Sequence, residues 1–146
     1  MILDKLSLFS DSVALTNDAV SSVIDHIKDG DFDLGRKMNI FAQLEGESPT
    51  PANATVQVSL QRCADGDDPT VSSNWKTVET YEAVKVSDAI KGKRLVNFAK
   101  RPLGGLRYER LSYAVLVPGS GSTMIKGSLT GAKVLAGYTP SCEIDA

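Results

Sequence analysis

Acidic residues are the part of this sequence whose types and spacing could bind a metal ion. Aspartates alternate along residues 29–33, the spacing that opens an EF-hand calcium loop. That template next requires glycine where Leu34 stands and a carboxylate where Ile40 stands, and flanking helices are missing, so an EF-hand is excluded. Residues 65–68 contain three further aspartates. Both stretches fit exposed turns, where Asp and Gly are favoured for backbone reasons, and an irregular calcium site is the alternative.

No other residue pattern predicts a catalytic or cofactor site. His26 is the only histidine, and no acid, thiol or second histidine lies at ligand spacing from it. Zinc sites and Ser-His or Cys-His catalysis require such partners. Residues 119–122 (GSGS) resemble the start of a phosphate-binding loop, but the Lys-Ser/Thr pair that must follow is missing. The sequence therefore predicts no enzyme activity, no cofactor and no metal.

The amino-acid composition is typical of a globular protein. The 146 residues carry a net charge of −2 with the basic residues scattered, which argues against a nucleic-acid partner. No apolar segment approaches the roughly 20 residues that span a membrane. Asp4 and Lys5 interrupt what would be the apolar core of a signal peptide, so we expect a mature, unprocessed N-terminus. Cys63 and Cys142 are expected to be reduced, which indicates synthesis in a reducing cytoplasm, and a single disulfide is the alternative.

Alternation of apolar and polar residues predicts an all-β fold. Thr55 to Arg62 has the cleanest pattern, with valines and a leucine at every second position. Similar patterns predict seven or eight strands and no convincing helix, hence an antiparallel two-sheet β-sandwich, jelly-roll-like or otherwise, with an extended N-terminal arm. We expect residues 1–20 to form the arm, residues 21–137 the sandwich and residues 138–146 a polar tail. The other predicted strands are Ser21–Ile27, Lys37–Leu44, Trp75–Tyr81, Arg94–Ala99, Leu106–Val117 and one or two strands between Thr123 and Ala136.

The predicted strand Leu106–Val117 is the longest, and we expect it to be the spine of a sheet. Between Leu111 and Val117 the apolar residues alternate, which predicts a core-facing side. Arg107 and Glu109 share that parity. We therefore expect the strand to emerge from the core before Leu111, toward a sheet edge or a subunit contact.

Three segments together resemble the capsid cement, or decoration, proteins of tailed bacteriophages. They are LDKLSLFSDSVALT (residues 3–16), SSVIDHI (21–27) and LRYERLSYAV (106–115), in the order and at the spacing of that family. The resemblance implies a jelly-roll sandwich that binds the major capsid protein on the outer face of an icosahedral shell, commonly as a homotrimer. It implies a virion location, no membrane or nucleic-acid partner and no catalytic residues.

From the resemblance and the apolar N-terminus we expect the arm, the exposed loops and the start of the long strand to contact the shell or neighbouring subunits. A carbohydrate- or surface-binding module is the alternative function, with Trp75, Tyr81 or Tyr108 as a stacking platform. That alternative requires these aromatic rings to be exposed together, whereas a buried Trp75 would be a core anchor. The predicted interface residues are Ile2, Leu3, Leu6, Leu8, Phe9, Arg107, Tyr108 and Arg110.

Overall fold

The computed structural model describes residues 8–15, 19–21, 23–25, 38–100, 107–121 and 123–140. These residues form eleven β-strands, one helical turn and a short 3-10 turn at Ser72–Asn74. No helix in these ranges is long and apolar enough to cross a membrane. The strands are β1 (Leu8–Ala14), β2 (Ala19–Val20), β3 (Ile24–Asp25), β4 (Met38–Glu45), β5 (Thr55–Cys63), β6 (Lys76–Thr80), β7 (Val84–Lys85), β8 (Val96–Lys100), β9 (Tyr108–Pro118), β10 (Met124–Lys126) and β11 (Lys133–Pro140), and α1 spans Val86–Ala89.

The strands form two antiparallel sheets with the connectivity of a jelly roll. The first sheet has the order β1-β11-β4-β8, and the second has β10-β9-β5-β6 with β2, β3 and β7 paired onto it. If β2 and β3 are taken as one strand, β6 and β7 as another, and β10 as an addition, the sheets read 1-8-3-6 and 2-7-4-5. This is the order of an eight-stranded jelly roll, which the resemblance implies, and it confirms the antiparallel β-sandwich that the sequence pattern predicts.

The central pair of the second sheet is β5 and β9, which confirms β9 as its spine. They pair over nine residues, from Thr55 opposite Leu116 to Cys63 opposite Tyr108. The other edge of β9 is covered in three pieces by β2, β3 and β10. An edge divided in this way presents no long row of free backbone groups, which limits unwanted strand pairing.

One hydrophobic core fills the space between the two sheets. The second sheet contributes Val56, Val58 and Leu60 from β5 and the inward residues of β9, as their alternation predicts. The first sheet contributes residues of β4 and β11 that face them. A hydrogen bond of 2.7 Å between the hydroxyl groups of Ser10 and Tyr113 also joins the sheets.

Both ends of the described chain lie inside the first sheet. The segment predicted as an arm contains β1, which pairs with β11 from Leu8 opposite Gly137 onward. The segment predicted as a polar tail begins within β11, which stays in register with β4 as far as Pro140 opposite Met38. Both segments are held by backbone ladders, so the sandwich extends beyond the expected limits of residues 21 and 137.

Candidate interaction surface

The start of β9 stays inside the core, because Glu109 is fully buried between the sheets. Its carboxylate accepts a hydrogen bond of 2.7 Å from Nε of Arg62, and Tyr138 of the first sheet donates its hydroxyl to the other carboxylate oxygen. Arg62 is 5% exposed and Glu109 is 0% exposed. The expectation that β9 leaves the core before Leu111 is therefore wrong: the alternation continues, and a buried ion pair satisfies the inward charge.

This ion pair was missed, although the sequence holds a signal for it. Arg62 continues the inward parity of β5, and Glu109 continues that of β9. The two residues lie opposite each other in the ladder. Opposite charges at inward positions of two paired strands indicate a buried pair rather than two exposed residues.

Arg107, which precedes β9, is held by neighbours on the protein itself. Its Nη1 lies 2.6 Å from Oδ1 of Asp65, and its guanidinium lies 4.8 Å from the centre of the Tyr108 ring. Asp65 is largely exposed, so this pair contributes little to stability. It does connect the loop after β5 to the start of β9.

Arg110 covers the only tryptophan of the chain. Its guanidinium lies 4.3 Å from the centre of the Trp75 ring, and its Nε donates a hydrogen bond of 2.8 Å to Gln61. The indole N–H of Trp75 donates to the carbonyl oxygen of Pro69 at 2.9 Å, and only 7% of Trp75 is exposed. Trp75 is thus a buried anchor, and its face is not available as a stacking platform.

The outer face of the second sheet has a polar half on β5 and β6. We use "outer face" for the side of that sheet that points away from the core. Gln61 and Ser59 hydrogen-bond to the hydroxyl groups of Thr77 and Thr80, each at 3.4 Å, and Gln57 donates to the carbonyl of Tyr81 at 3.0 Å. Small side chains that bond to one another leave a flat surface with little rotamer freedom to lose on binding.

The other half of the outer face, on β9, β10 and β2, is apolar. Leu116 is 37% exposed, Val20 is 43% exposed and Met124 is 38% exposed. The ladder places Met124 opposite Pro118 and Val20 opposite Ser112, so their side chains lie on the same side as Leu116. A shallow depression of about 480 Å³ lies here, and Val20, Ala114 and Leu116 line it together with Arg110 and Lys126. Exposed apolar residues grouped with cations are typical of a protein contact surface.

The structure brings together only part of the predicted interface set. Arg107, Tyr108 and Arg110 lie at one end of β9, and Arg110 also borders the depression on the outer face. Phe9 is a core residue, 1% exposed, with its ring centre 4.8 Å from that of Tyr138. Leu8 belongs to β1. The predicted interface residues Ile2, Leu3 and Leu6 lie outside the described residues. The apolar outer-face residues were not predicted, because a strand pattern does not tell which exposed positions of three strands meet.

Two carboxylates of the acidic loop after β5, those of Asp65 and Asp68, bind groups within the protein. Asp65 pairs with Arg107, and Asp68 accepts hydrogen bonds from both the hydroxyl and the N–H of Thr70, which lower the pKa of Asp68. Within the described ranges no group of three potential ligands could hold a metal ion. Residues 29–35 and His26 lie outside those ranges.

The buried hydroxyl group of Tyr81 provides a test of how hydrogen bonding affects the stability of this fold. Its hydroxyl is buried and makes no hydrogen bond in the described part of the chain, and burial, followed by Glu79 and Glu109, raises its pKa to about 12. We expect Tyr81→Phe to leave the free energy of unfolding unchanged or to raise it by up to about 1 kcal/mol. Since the fold favours the protonated phenol, the wild-type protein should lose stability between pH 10 and pH 12, and Tyr81→Phe should lose less. Urea unfolding at neutral and alkaline pH measures both effects.

Tyr113→Phe is the matched control for Tyr81→Phe. The Tyr113 hydroxyl is also buried, but it bonds to the buried Ser10. We expect its removal to cost about 1–3 kcal/mol because Ser10 loses its partner. An equal loss of stability in both variants would contradict the assignment of Tyr81 as unsatisfied.

The chain was compared with models of known protein families. The family model described as Bbp16 matches residues 9–134, from β1 to β11, and so covers both sheets. No curated protein matches the chain.

Proposed function

Because the chain belongs to the Bbp16 family, a phage-related family, we propose that it is a structural protein of a tailed-phage particle. In this proposal it decorates the outer surface of the capsid and stabilises contacts between neighbouring capsomers. Its partner is the major capsid protein, and its role is binding rather than catalysis. The family match, the jelly-roll fold and the resemblance of three segments to decoration proteins support the proposal.

The outer face of the second sheet is the observation that carries this proposal. A protein that attaches to a preformed shell needs a surface that is stable in water before assembly and loses little freedom when it is covered. The hydrogen-bonded polar half meets the second need, and the row of Val20, Leu116 and Met124 supplies apolar area for attachment. We propose that this outer face contacts the shell, with Arg110 at its border.

A carbohydrate-binding role has less support. It requires an exposed aromatic platform. The Trp75 ring is covered by Arg110, and the Tyr81 hydroxyl is buried, so the two rings do not form one exposed surface. Tyr108 is half-buried with Arg107 against its ring.

The decisive experiment mixes the purified protein with expanded, undecorated heads of the phage that encodes it. Added density on the outer surface in electron cryomicroscopy supports the proposal, and heads that stay bare contradict it. The resemblance to decoration proteins implies that the protein is a trimer. Light scattering of the purified protein distinguishes a trimer from a monomer or dimer.

Leu116→Glu tests whether the outer face is the contact. A charge in the middle of the apolar half should weaken binding to heads by about tenfold or more, because it must be desolvated against the shell. Val78→Glu is the matched control: Val78 is 40% exposed on β6, which β5 separates from β9, β10 and β2, so it lies outside the apolar half. If Leu116→Glu and Val78→Glu bind heads equally well in a cosedimentation assay, the apolar half of the outer face is not the contact.

A further inference from the structure

The loop between α1 and β8 carries a concentrated positive charge. Residues 90–94 read Ile-Lys-Gly-Lys-Arg, and all five are exposed. We call Lys91, Lys93 and Arg94 the basic loop. Lys91 and Lys93 form no ion pair with any part of the chain that the structure describes. The whole protein has a net charge of −2, so this loop is a local positive patch on an otherwise acidic molecule.

Arg94 is held in place, unlike most surface arginines. Its guanidinium lies 4.6 Å from the centre of the Phe98 ring, and its Nη1 is 3.4 Å from Oδ1 of Asn97. The Phe98 ring packs 6.1 Å from that of Phe41, which is almost completely buried. A guanidinium oriented by an aromatic face loses less conformational freedom when it binds a carboxylate, and it keeps its planar donor edge available.

The backbone of Phe98 adds to this arrangement. Its φ is 52°, in the left-handed region that a bulky residue rarely adopts. Conformations of this kind cost about 1–3 kcal/mol and persist where the surroundings enforce them, commonly at functional positions. Here the unusual backbone lies on β8, the edge strand of the first sheet, and the ring it positions supports Arg94.

The basic loop lies apart from the outer face. It joins α1 to β8, and α1 follows β7, which pairs with Thr55 and Val56 of β5. The apolar outer-face residues lie on β9, β10 and β2, on the other side of β5 in the second sheet. A partner that contacts both regions must therefore reach around the side of the sandwich, or two partners must bind.

We propose that the basic loop is a second attachment point, which binds a carboxylate-rich protein surface on the capsid. The inference rests on the proposed function. Arg94 would pair with a carboxylate in the bidentate geometry that guanidinium favours, Lys91 and Lys93 would add charge attraction, and Ile90 would add an apolar contact. A protein partner fits better than nucleic acid, because nucleic-acid binding normally uses an extended basic face with many phosphate contacts, whereas this loop offers three cations beside an exposed Ile90.

The test is salt-dependent binding of Lys91→Glu/Lys93→Glu to expanded heads of the encoding phage. We expect affinity at about 50 mM salt to fall by about tenfold or more, and the difference from wild type to narrow at about 500 mM salt, where charges are screened. Lys76→Glu/Lys133→Glu is the control, because it makes the same change in net charge at two other exposed lysines. Arg94→Lys keeps the charge but loses the planar stack, and we expect it to bind about threefold more weakly.

The outcomes separate this inference from the proposed function. If wild-type protein does not bind heads, the decoration proposal fails and this inference fails with it. If wild type binds and Lys91→Glu/Lys93→Glu binds as well as its control, the outer face suffices and the basic loop is not an attachment point. Wild-type binding to duplex DNA that the double variant loses would overturn the choice of an acidic protein. Thermal unfolding should be the same for both double variants, since exposed charges contribute little to stability.

Discussion

Arg62→Met is expected to lower the free energy of unfolding by about 3–5 kcal/mol, the usual cost of breaking a buried ion pair. The substitution keeps the aliphatic bulk of the side chain but removes the guanidinium that faces a fully buried carboxylate. Glu109 then has to stay charged in the core with one cation fewer, or take up a proton. Because the pair lies between β5 and β9, the loss falls on the central ladder of the second sheet. Urea denaturation followed by circular dichroism measures it.

The double variant Arg62→Met/Glu109→Gln separates the charge from the packing. A glutamine amide is neutral, and its oxygen can still accept the hydrogen bond from Tyr138. Replacing both members of a buried pair with uncharged residues is often nearly neutral, so we expect most of the lost stability to return. A loss below about 1 kcal/mol for Arg62→Met alone would mean that water or another group solvates Glu109. If the double variant does not regain the stability that Arg62→Met loses, Arg62 stabilises the fold through its packing contacts rather than through its charge.

Local pattern predicted the strands of this fold well, because sheet faces impose alternation on the residues that form them. The predicted Thr55–Arg62 and the observed β5, Thr55–Cys63, differ by one residue. The predicted Lys37–Leu44 and the observed β4, Met38–Glu45, differ by one residue at each end. These strand patterns were enough to predict the all-β class. The jelly-roll order depends on which strands pair, and the sheet topology provides that information.

The segment Ser21–Ile27 shows where local pattern fails. It was predicted as one strand, but the described part contains Ile24–Asp25 paired with β9, while Ala19–Val20 pairs with β9 further along. Ser21 lies between them: its N–H donates to the carbonyl of Leu111 at 2.8 Å, and its hydroxyl oxygen accepts from the N–H of Leu111 at 2.7 Å. A side chain that takes the place of a backbone carbonyl interrupts the ladder, and apolar alternation contains no signal for it.

The candidate surface was less predictable, because it depends on contacts between distant parts of the chain. Arg62 and Glu109 are 47 residues apart, and their meeting depends on the register between β5 and β9. The outer face likewise needs Val20, Leu116 and Met124 on three strands to share one side of a sheet. The sequence showed Arg110 as an exposed candidate, but its role as a cover for Trp75 follows only from the loop that brings the indole beneath it.

Trp75→Ala is expected to lower the free energy of unfolding by about 3 kcal/mol or more, in the range of buried aromatic truncations. The variant loses the buried ring, leaves the Pro69 carbonyl without its indole donor and removes the surface on which Arg110 rests. Trp75→Phe keeps an aromatic face and should cost less, and Arg110→Ala should cost about 0.5–2 kcal/mol through loss of the cation–π contact. Chemical denaturation followed by circular dichroism suits all three, since the only tryptophan is changed in two of them.

The same three variants distinguish the structural role of Trp75 from a ligand-binding one. If the ring anchors the loop after β5, Trp75→Ala lowers stability. It then weakens binding to heads only indirectly, by displacing Arg110 from the border of the outer face. The single variant Arg110→Ala should then reproduce most of the binding defect at much smaller cost to stability. If Trp75 were instead a stacking platform, Trp75→Ala would remain stable and lose binding to immobilised glycans. Such a result would require the Arg110 guanidinium to leave the indole face on which it lies at 4.3 Å. The ratio of binding loss to stability loss in Trp75→Ala and Arg110→Ala therefore decides between an anchor beneath the surface and a residue of the surface itself.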